Sequence, residues 1–220
     1  MKNVGVILSG CGVKDGSEIH EAVSVLLALA KRGANAISMA PDSGQPHVIN
    51  HATDAPMQES RNMLVEGARI ARGKIIPISQ AVLDDLDAII LPGGFGAAQN
   101  LSDFASAGAD MSVHPQVHSL LVSAYKAGKP LCALCIAPPI LAKVLQECGV
   151  TGARLTIGND TGTAAAITAM GQVHVDTPAS DALVDPDHKL VTCPAYMLAT
   201  NVAELYEGIE KAVDATLNLI

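Results

Sequence analysis

The sequence contains very few aromatic residues: no tryptophan, three tyrosines and two phenylalanines among 220 residues. Proteins that bind single-stranded nucleic acids use aromatic side chains as stacking platforms, which this chain lacks. Basic residues are also scarce, since 14 lysines and arginines are outnumbered by 22 aspartates and glutamates. Clustered lysine and arginine are what bind a phosphate backbone. We therefore expect no nucleic acid among the partners of this protein.

Long apolar runs are missing as well, and none approaches the roughly 18 residues that a membrane span needs. Met1 leads almost directly into the apolar run Val4 to Leu8, so we expect no signal or transit segment and no membrane association. The five cysteines are spread along the chain instead of forming a disulfide framework. This usage is typical of a reducing compartment, and we expect a cytoplasmic protein.

No linker rich in proline, glycine or serine interrupts the chain, which predicts one domain over residues 1–220. Short apolar runs alternate with segments of helical periodicity. The predicted strands include 4–8, 36–40, 87–91 and 131–134. Strands that are apolar throughout and alternate with helices are typical of a parallel sheet covered on both faces. We predict an α/β fold with a doubly wound, mostly parallel sheet and helices on both faces.

The first helix has clear start and stop signals. Asp15 is the predicted N-cap with Glu18 as its capping-box partner, and the basic residues before Gly33 mark the end. The apolar periodicity places one face toward the core and the other in solvent. The predicted inward residues are Ile19, Val23, Leu26, Leu27 and Ala30, and the predicted outward residues are Glu21, Ser24 and Ala28.

Cys135 occupies the most informative position in the chain. It follows a predicted buried strand and precedes Pro138 and Pro139, which are tolerated in the first turn of a helix. A tight strand-to-helix turn of this kind is a nucleophile elbow. Because a helix N-terminus favours an anion, we expect a thiol pKa below the value of about 8.5 for free cysteine. The alternative is that Cys135 packs in the core as a small hydrophobic residue.

Two more loops are predicted to reach the same edge of the sheet, where ligands bind in folds of this class. One is Ser9 to Gly12, and the other is Pro92 to Gly96. We predict that the amides of Gly94 and Ile136 form an oxyanion hole with Gly93 lining the pocket, although these glycines could simply form a tight turn. Cys11 either lines the pocket, resolves an oxidised Cys135, or packs.

Cys132 and Cys135 form a C-x-x-C pair, but no second pair completes a metal site, and Cys132 belongs to the predicted strand. We predict a core position for Cys132, and no metal or cofactor. A cysteine nucleophile usually has a histidine partner. Ile136 is not one, while His20 and Glu21 open the first helix near the predicted site. Either side chain is a candidate for the proton transfer.

Four segments together resemble the ElbB family, in the superfamily of PfpI and the parkinsonism-associated deglycase. They are Gly10–Ala22, Leu91–Leu101, Cys135–Pro138 and Thr192–Ala199. The resemblance implies the class I glutamine amidotransferase fold, a flavodoxin-like three-layer sandwich. It also implies that Glu21 is buried beside the nucleophile, which reverses the expectation from helical periodicity. A carboxyl kept protonated by burial would donate a hydrogen bond to the sulfur and favour the thiolate.

The resemblance implies a glutathione-independent glyoxalase, of lyase or hydratase type, that converts glyoxal to glycolate and reflects a protein deglycase activity. It also implies a homodimer, for which the small residues Ser24 and Ala28 suit an interface. Pro194-Ala195-Tyr196 lacks the His-x-Glu pair of the glutaminases, and Ile136 replaces the histidine of the peptidases, which argues against both activities. The alternative is a non-catalytic, dimeric redox-sensing or regulatory protein linked to isoprenoid biosynthesis or stress response.

Overall fold

The computed structural model describes all 220 residues. The strands are β1 (Asn3–Ile7), β2 (Asn35–Ala40), β3 (Ile49–Asn50), β4 (Ala55–Pro56), β5 (Ile76–Pro77), β6 (Ala88–Leu91), β7 (Leu131–Leu134), β8 (Arg154–Leu155), β9 (Val173–His174), β10 (Leu183–Asp185) and β11 (Leu190–Cys193). The helices are α1 (Ile19–Lys31), α2 (Met63–Ile70), α3 (Phe95–Gln99), α4 (Phe104–Ala107), α5 (Pro115–Lys126), α6 (Pro138–Glu147), α7 (Thr161–Ala169) and α8 (Val202–Asn218).

Seven strands form the central sheet in the order β10-β11-β7-β6-β1-β2-β5. All neighbours are parallel except the β10–β11 pair at one edge. The pairs β3–β4 and β8–β9 form two small separate sheets. The predicted doubly wound, mostly parallel fold is therefore confirmed. Strands β1, β6 and β7 are neighbours, so the loops that follow them meet at one edge.

The two faces of the sheet bury two separate hydrophobic cores. Val6 and Ile90 point to one side, where they pack with residues of α1 and α8, while Ile89 and Leu91 point to the other, where they pack with residues of α5 and α6. This alternation follows from the period of two in a β-strand. Helices thus cover both faces, as the three-layer arrangement requires. None of the helices is long and apolar enough to cross a membrane.

Helix α1 is rotated relative to the prediction from apolar periodicity. Its buried residues are Glu21, Ala22, Ser24, Val25, Ala28 and Leu29. Ile19, Val23 and Leu27, predicted to face inward, are exposed by 42%, 47% and 49%. The predicted faces were wrong because small side chains allow α1 to lie close to the sheet and α8. Ser24 and Ala28 are buried within the chain, so the predicted interface at these two residues is wrong as well.

The start of α1 also differs from the prediction. The N-cap is Glu18, whose Oε2 accepts a hydrogen bond from the Glu21 amide at 2.7 Å. Asp15 is buried and instead accepts a hydrogen bond from the amide of Ile49 at 2.7 Å. Its carboxylate therefore holds the loop after β1 against the β3–β4 pair. The capping box predicted at Asp15 is wrong, because a tertiary contact uses that side chain.

Candidate active site

Cys135 lies at the turn between β7 and α6, and its backbone has the geometry of an elbow. Its φ is +56°, in the left-handed region that non-glycine residues rarely adopt. The Cys135 amide donates to the carbonyl of Cys193 at 2.9 Å, which ties the turn to the neighbouring strand β11. Pro138 begins the helix. The predicted strand-to-helix elbow is thus present, and residue Cys135 is 8% exposed.

The loop after β6 approaches the elbow more closely than any side chain would allow. A Cβ atom added at Gly93 would lie 2.4 Å from the Cys135 Cβ. The carbonyl of Gly93 accepts a hydrogen bond from the amide of Glu18 at 2.9 Å, and its amide donates to Glu21 Oε2 at 2.8 Å. Gly93 therefore joins the elbow to the start of α1, and only glycine fits there.

Glu21 is fully buried, with its carboxylate bonded to two backbone amides. Gly93 donates to Oε2 at 2.8 Å, and Tyr196 donates to Oε1 at 3.3 Å. Burial, followed by the negative charge of Glu18, raises the pKa of Glu21 to about 7, against the lowering effect of the two amides and of Cys135. A carboxyl with this pKa exchanges protons readily at neutral pH. The buried position implied by the resemblance is confirmed.

The Cys135 thiol does not have the lowered pKa expected from its place at a helix N-terminus. Burial, and then the negative charge of Glu21, raise its pKa well above that of an ordinary cysteine. The amides of Gly94 and Ile136 interact with the sulfur and act in the opposite direction. The expected direction was wrong because the cost of desolvating a thiolate beside a carboxylate exceeds the stabilisation from the two amides. Ionised Glu21 therefore disfavours the thiolate, which is the opposite of the effect expected from a protonated carboxyl.

Glu18 acts on this pair through Glu21. The side chain of Glu18 is 10% exposed, caps α1, and adds a second negative charge beside Glu21. We expect Glu18→Gln to lower the pKa of Glu21, because glutamine keeps the capping oxygen but removes the charge. Titration of the Glu21 side-chain carboxyl carbon by NMR should then show a midpoint below the wild-type value of about 7. An unchanged midpoint would contradict the effect of Glu18.

The remaining candidates from the sequence lie around the site with different neighbours. His20 is exposed, and its only side-chain hydrogen bond joins Nδ1 to Tyr196 Oη at 2.8 Å, so the structure does not bring it to the sulfur. Cys11 is half-buried, and burial followed by the negative charge of Glu66 raises its pKa; it is not among the residues that line the cavity at Cys135. Cys132 is fully buried in the core, as predicted. All five cysteines are free thiols.

A cavity of about 340 Å³ opens in front of Cys135. Gly94 and Ile136 line it, whereas Gly93 lies behind the elbow and is not among the lining residues. The prediction that Gly93 lines the pocket is therefore wrong. Gly93 instead packs against Cys135, and its backbone amide donates a hydrogen bond to Glu21. The sulfur and the two predicted oxyanion-hole residues share one space that a ligand can enter.

Sequence reasoning did not identify Glu18 and Tyr196 as groups that hold Glu21. The only available signal for Tyr196 was its place just after β11, next to the strand that carries Cys135. Sequence reasoning also missed Phe95, Phe104 and Asp160, which line the cavity from three different elements. No sequence pattern connects these residues, because the fold alone brings the starts of α3, α4 and α7 together.

Comparisons with known proteins agree with this architecture. No family model matches the chain. A human protein, "Glutamine amidotransferase-like class 1 domain-containing protein 3, mitochondrial", is 44% identical over 98% of this chain and 82% of its own length. The crystal structure of an isoprenoid biosynthesis protein with an amidotransferase-like domain from Ehrlichia chaffeensis has a TM-score of 0.92 at 36% identity, covering 100% and 99% of the two chains.

A more distant structure, Drosophila melanogaster DJ-1beta, aligns with a TM-score of 0.53 at 21% identity over 99% and 95% of the two chains, and shares the fold. The human relative is similar over nearly all of the chain, well beyond the elbow and its neighbouring loops. The chain therefore belongs to the family of glutamine amidotransferase-like class 1 domain proteins.

Proposed function

We propose that this protein is a glutathione-independent glyoxalase that converts glyoxal to glycolate, with Cys135 as nucleophile. One observation carries the proposal: the Cys135 sulfur and the residues Gly94 and Ile136 share one cavity, and the buried Glu21 carboxyl is hydrogen-bonded to the sulfur. This arrangement combines a nucleophile, a proton carrier and an oxyanion hole. Protein deglycation is the broader reaction that the same groups would support, because it also begins with attack on a carbonyl-derived carbon.

The first step is addition of the sulfur to one aldehyde carbon of glyoxal. Ionised Glu21 takes the thiol proton as the carbon–sulfur bond forms, so the thiol need not be ionised in advance. The carbonyl oxygen becomes an oxyanion that the amides of Gly94 and Ile136 stabilise. Glu21 then returns the proton to this oxygen and leaves a hemithioacetal. The pKa of about 7 for Glu21 suits both transfers at neutral pH.

The second step moves a proton between the two carbons. Glu21 removes the hydrogen from the carbon bonded to sulfur, which gives an enediolate, and delivers it to the neighbouring carbon. The hydroxyl proton passes to the adjacent oxygen. One carbon is thereby oxidised to a thioester while the other is reduced to an alcohol, so no external oxidant is needed. Water, deprotonated by Glu21, then hydrolyses the Cys135 thioester and releases glycolate and the thiol.

Purified protein incubated with glyoxal in the absence of glutathione should form glycolate. Acid quenching during turnover should trap the glycolyl thioester on the peptide that contains Cys135, detected by mass spectrometry. Cys148→Ala is a suitable control, because Cys148 caps the opposite end of α6. Absence of both glycolate and the thioester would refute the proposal. Conversion of Cys135 to a sulfinate by dilute peroxide without glyoxal turnover would instead favour the redox-sensing alternative.

The relationship to ElbB, the cytoplasmic location and the homodimer belong to the same proposal. The human relative is named as mitochondrial. The proposed reaction itself requires only that Cys135 is a free thiol, as it is in this structure.

Because Ser24 and Ala28 are buried, a dimer surface would have to use other residues. Ile19, Val23 and Leu27 are apolar side chains that α1 leaves in solvent.

A further inference from the structure

The cavity at Cys135 is larger and more apolar than glyoxal requires. Glyoxal has only four non-hydrogen atoms, whereas a volume of about 340 Å³ lies within the range of roughly 300–1,000 Å³ that is typical of pockets for drug-sized ligands. Eight of the eleven lining residues are hydrophobic. An apolar wall contributes little to binding a small polar dicarbonyl, because glyoxal has almost no apolar surface to bury. The shape of the cavity therefore fits a compound with an apolar substituent.

Both phenylalanines of the chain, Phe95 and Phe104, line this cavity. Phe95 is 51% exposed at the start of α3, although most large apolar side chains of the chain are buried. A ligand that covers the two rings would remove their apolar surface from water. An aryl group on the ligand gains additional binding free energy from edge-to-face or offset contacts with these rings.

Asp160 is the one charged residue that lines the cavity. It is the N-cap of α7, where its Oδ1 accepts a hydrogen bond from the Thr163 amide at 2.8 Å. This bond lowers the pKa of Asp160, so the carboxylate is ionised at neutral pH. No lysine or arginine lines the cavity to offset the charge. Asp160 is exposed, so solvent partly screens its charge, and an anionic ligand meets a moderate repulsion that is strongest at low ionic strength.

We propose that the cavity selects neutral 2-oxoaldehydes that carry an apolar substituent, with Phe95 and Phe104 contacting the substituent and Asp160 rejecting anionic analogues. This inference rests on the proposed function, since it assigns the substrate class of the same cysteine. For phenylglyoxal, the sulfur adds to the aldehyde carbon, and Glu21 carries the hydrogen of that carbon to the ketone carbon. Hydrolysis of the thioester by water then gives mandelate, and atoms and electrons balance without a further reactant.

The charge selection of Asp160 is tested without turnover, by alkylating Cys135 with neutral iodoacetamide and anionic iodoacetate. Wild type should favour iodoacetamide, and Asp160→Asn should lower this preference several-fold at low ionic strength. Asparagine preserves the N-cap, so the variant removes the charge with little effect on α7. The difference between the two proteins should shrink as salt screens the carboxylate. An identical preference in both proteins at every salt concentration would overturn the role of Asp160.

Substrate selection is tested by comparing the kcat/KM for phenylglyoxal and glyoxal, with mandelate and glycolate as measured products. We expect wild type to favour phenylglyoxal at least about tenfold. Phe104→Leu, which keeps apolar volume but removes the ring, should reduce this ratio about two- to tenfold, the value of one aromatic contact. Equal values for the two compounds would overturn the inference and leave the proposed function intact. Turnover of neither compound would refute the function, while the alkylation ratios would still measure the charge effect.

Discussion

Replacing Cys135 with alanine is expected to reduce glyoxal turnover more than about 10³-fold, the scale of loss seen when an enzyme loses its covalent nucleophile. Without sulfur neither the hemithioacetal nor the thioester forms, and the remaining groups have no covalent intermediate to act on. Alanine keeps the Cβ atom and differs little in size, so the elbow should persist. Steady-state glycolate formation at saturating glyoxal measures the loss.

The matched control is Cys148→Ala, which removes a thiol from the far end of α6 and should leave turnover within about twofold of wild type. Circular dichroism and thermal unfolding verify that both variants fold. Turnover by folded Cys135→Ala at a rate close to wild type would remove Cys135 from the reaction. A loss of equal size in both variants would indicate nonspecific damage and would also contradict the assignment.

Glu21→Gln is expected to slow glyoxal turnover and, at the same time, to make the Cys135 thiol more reactive. Turnover should fall about 10²- to 10⁴-fold, because glutamine cannot carry a proton between carbons. Alkylation of Cys135 at neutral pH should become faster, because the negative charge of Glu21 that raises the thiol pKa is removed. The two assays should therefore change in opposite directions. A parallel decrease in both would mean that Glu21 serves only to hold the elbow in place.

Glu21→Gln should also reduce the change in the free energy of unfolding between pH 4.5 and 8. Burial raises the pKa of Glu21 from 4.5 to about 7, so its ionisation opposes folding. The stabilising contribution of the neutral carboxyl is complete below pH 4.5 and is lost as the pH rises through about 7. The difference between the two pKa values corresponds to about 3 kcal/mol. Urea unfolding at pH 4.5 and 8 should reveal this loss in wild type and in the surface control Glu207→Gln, but not in Glu21→Gln.

Local sequence patterns determined the sheet and the position of the nucleophile. The run Leu131–Leu134 followed by Pro138 specifies a buried strand and a helix start, and only a tight turn at Cys135 can connect them. Glycines after β6 specify a second tight turn at the neighbouring strand. Patterns of this kind can be read from a sequence because strand burial, proline and glycine each act over a few residues.

The tertiary structure alone decided which groups surround the sulfur and what charge they carry. The periodicity of α1 favoured an exposed Glu21, yet packing against the sheet and α8 turned that side chain inward and left Ile19 and Leu27 in solvent. The thiol pKa likewise depends on burial and on a carboxylate more than 100 residues away in the chain. Desolvation and charge interactions act through space. A one-dimensional pattern therefore locates Cys135 but not its protonation, nor the cavity that Phe95, Phe104 and Asp160 build around it.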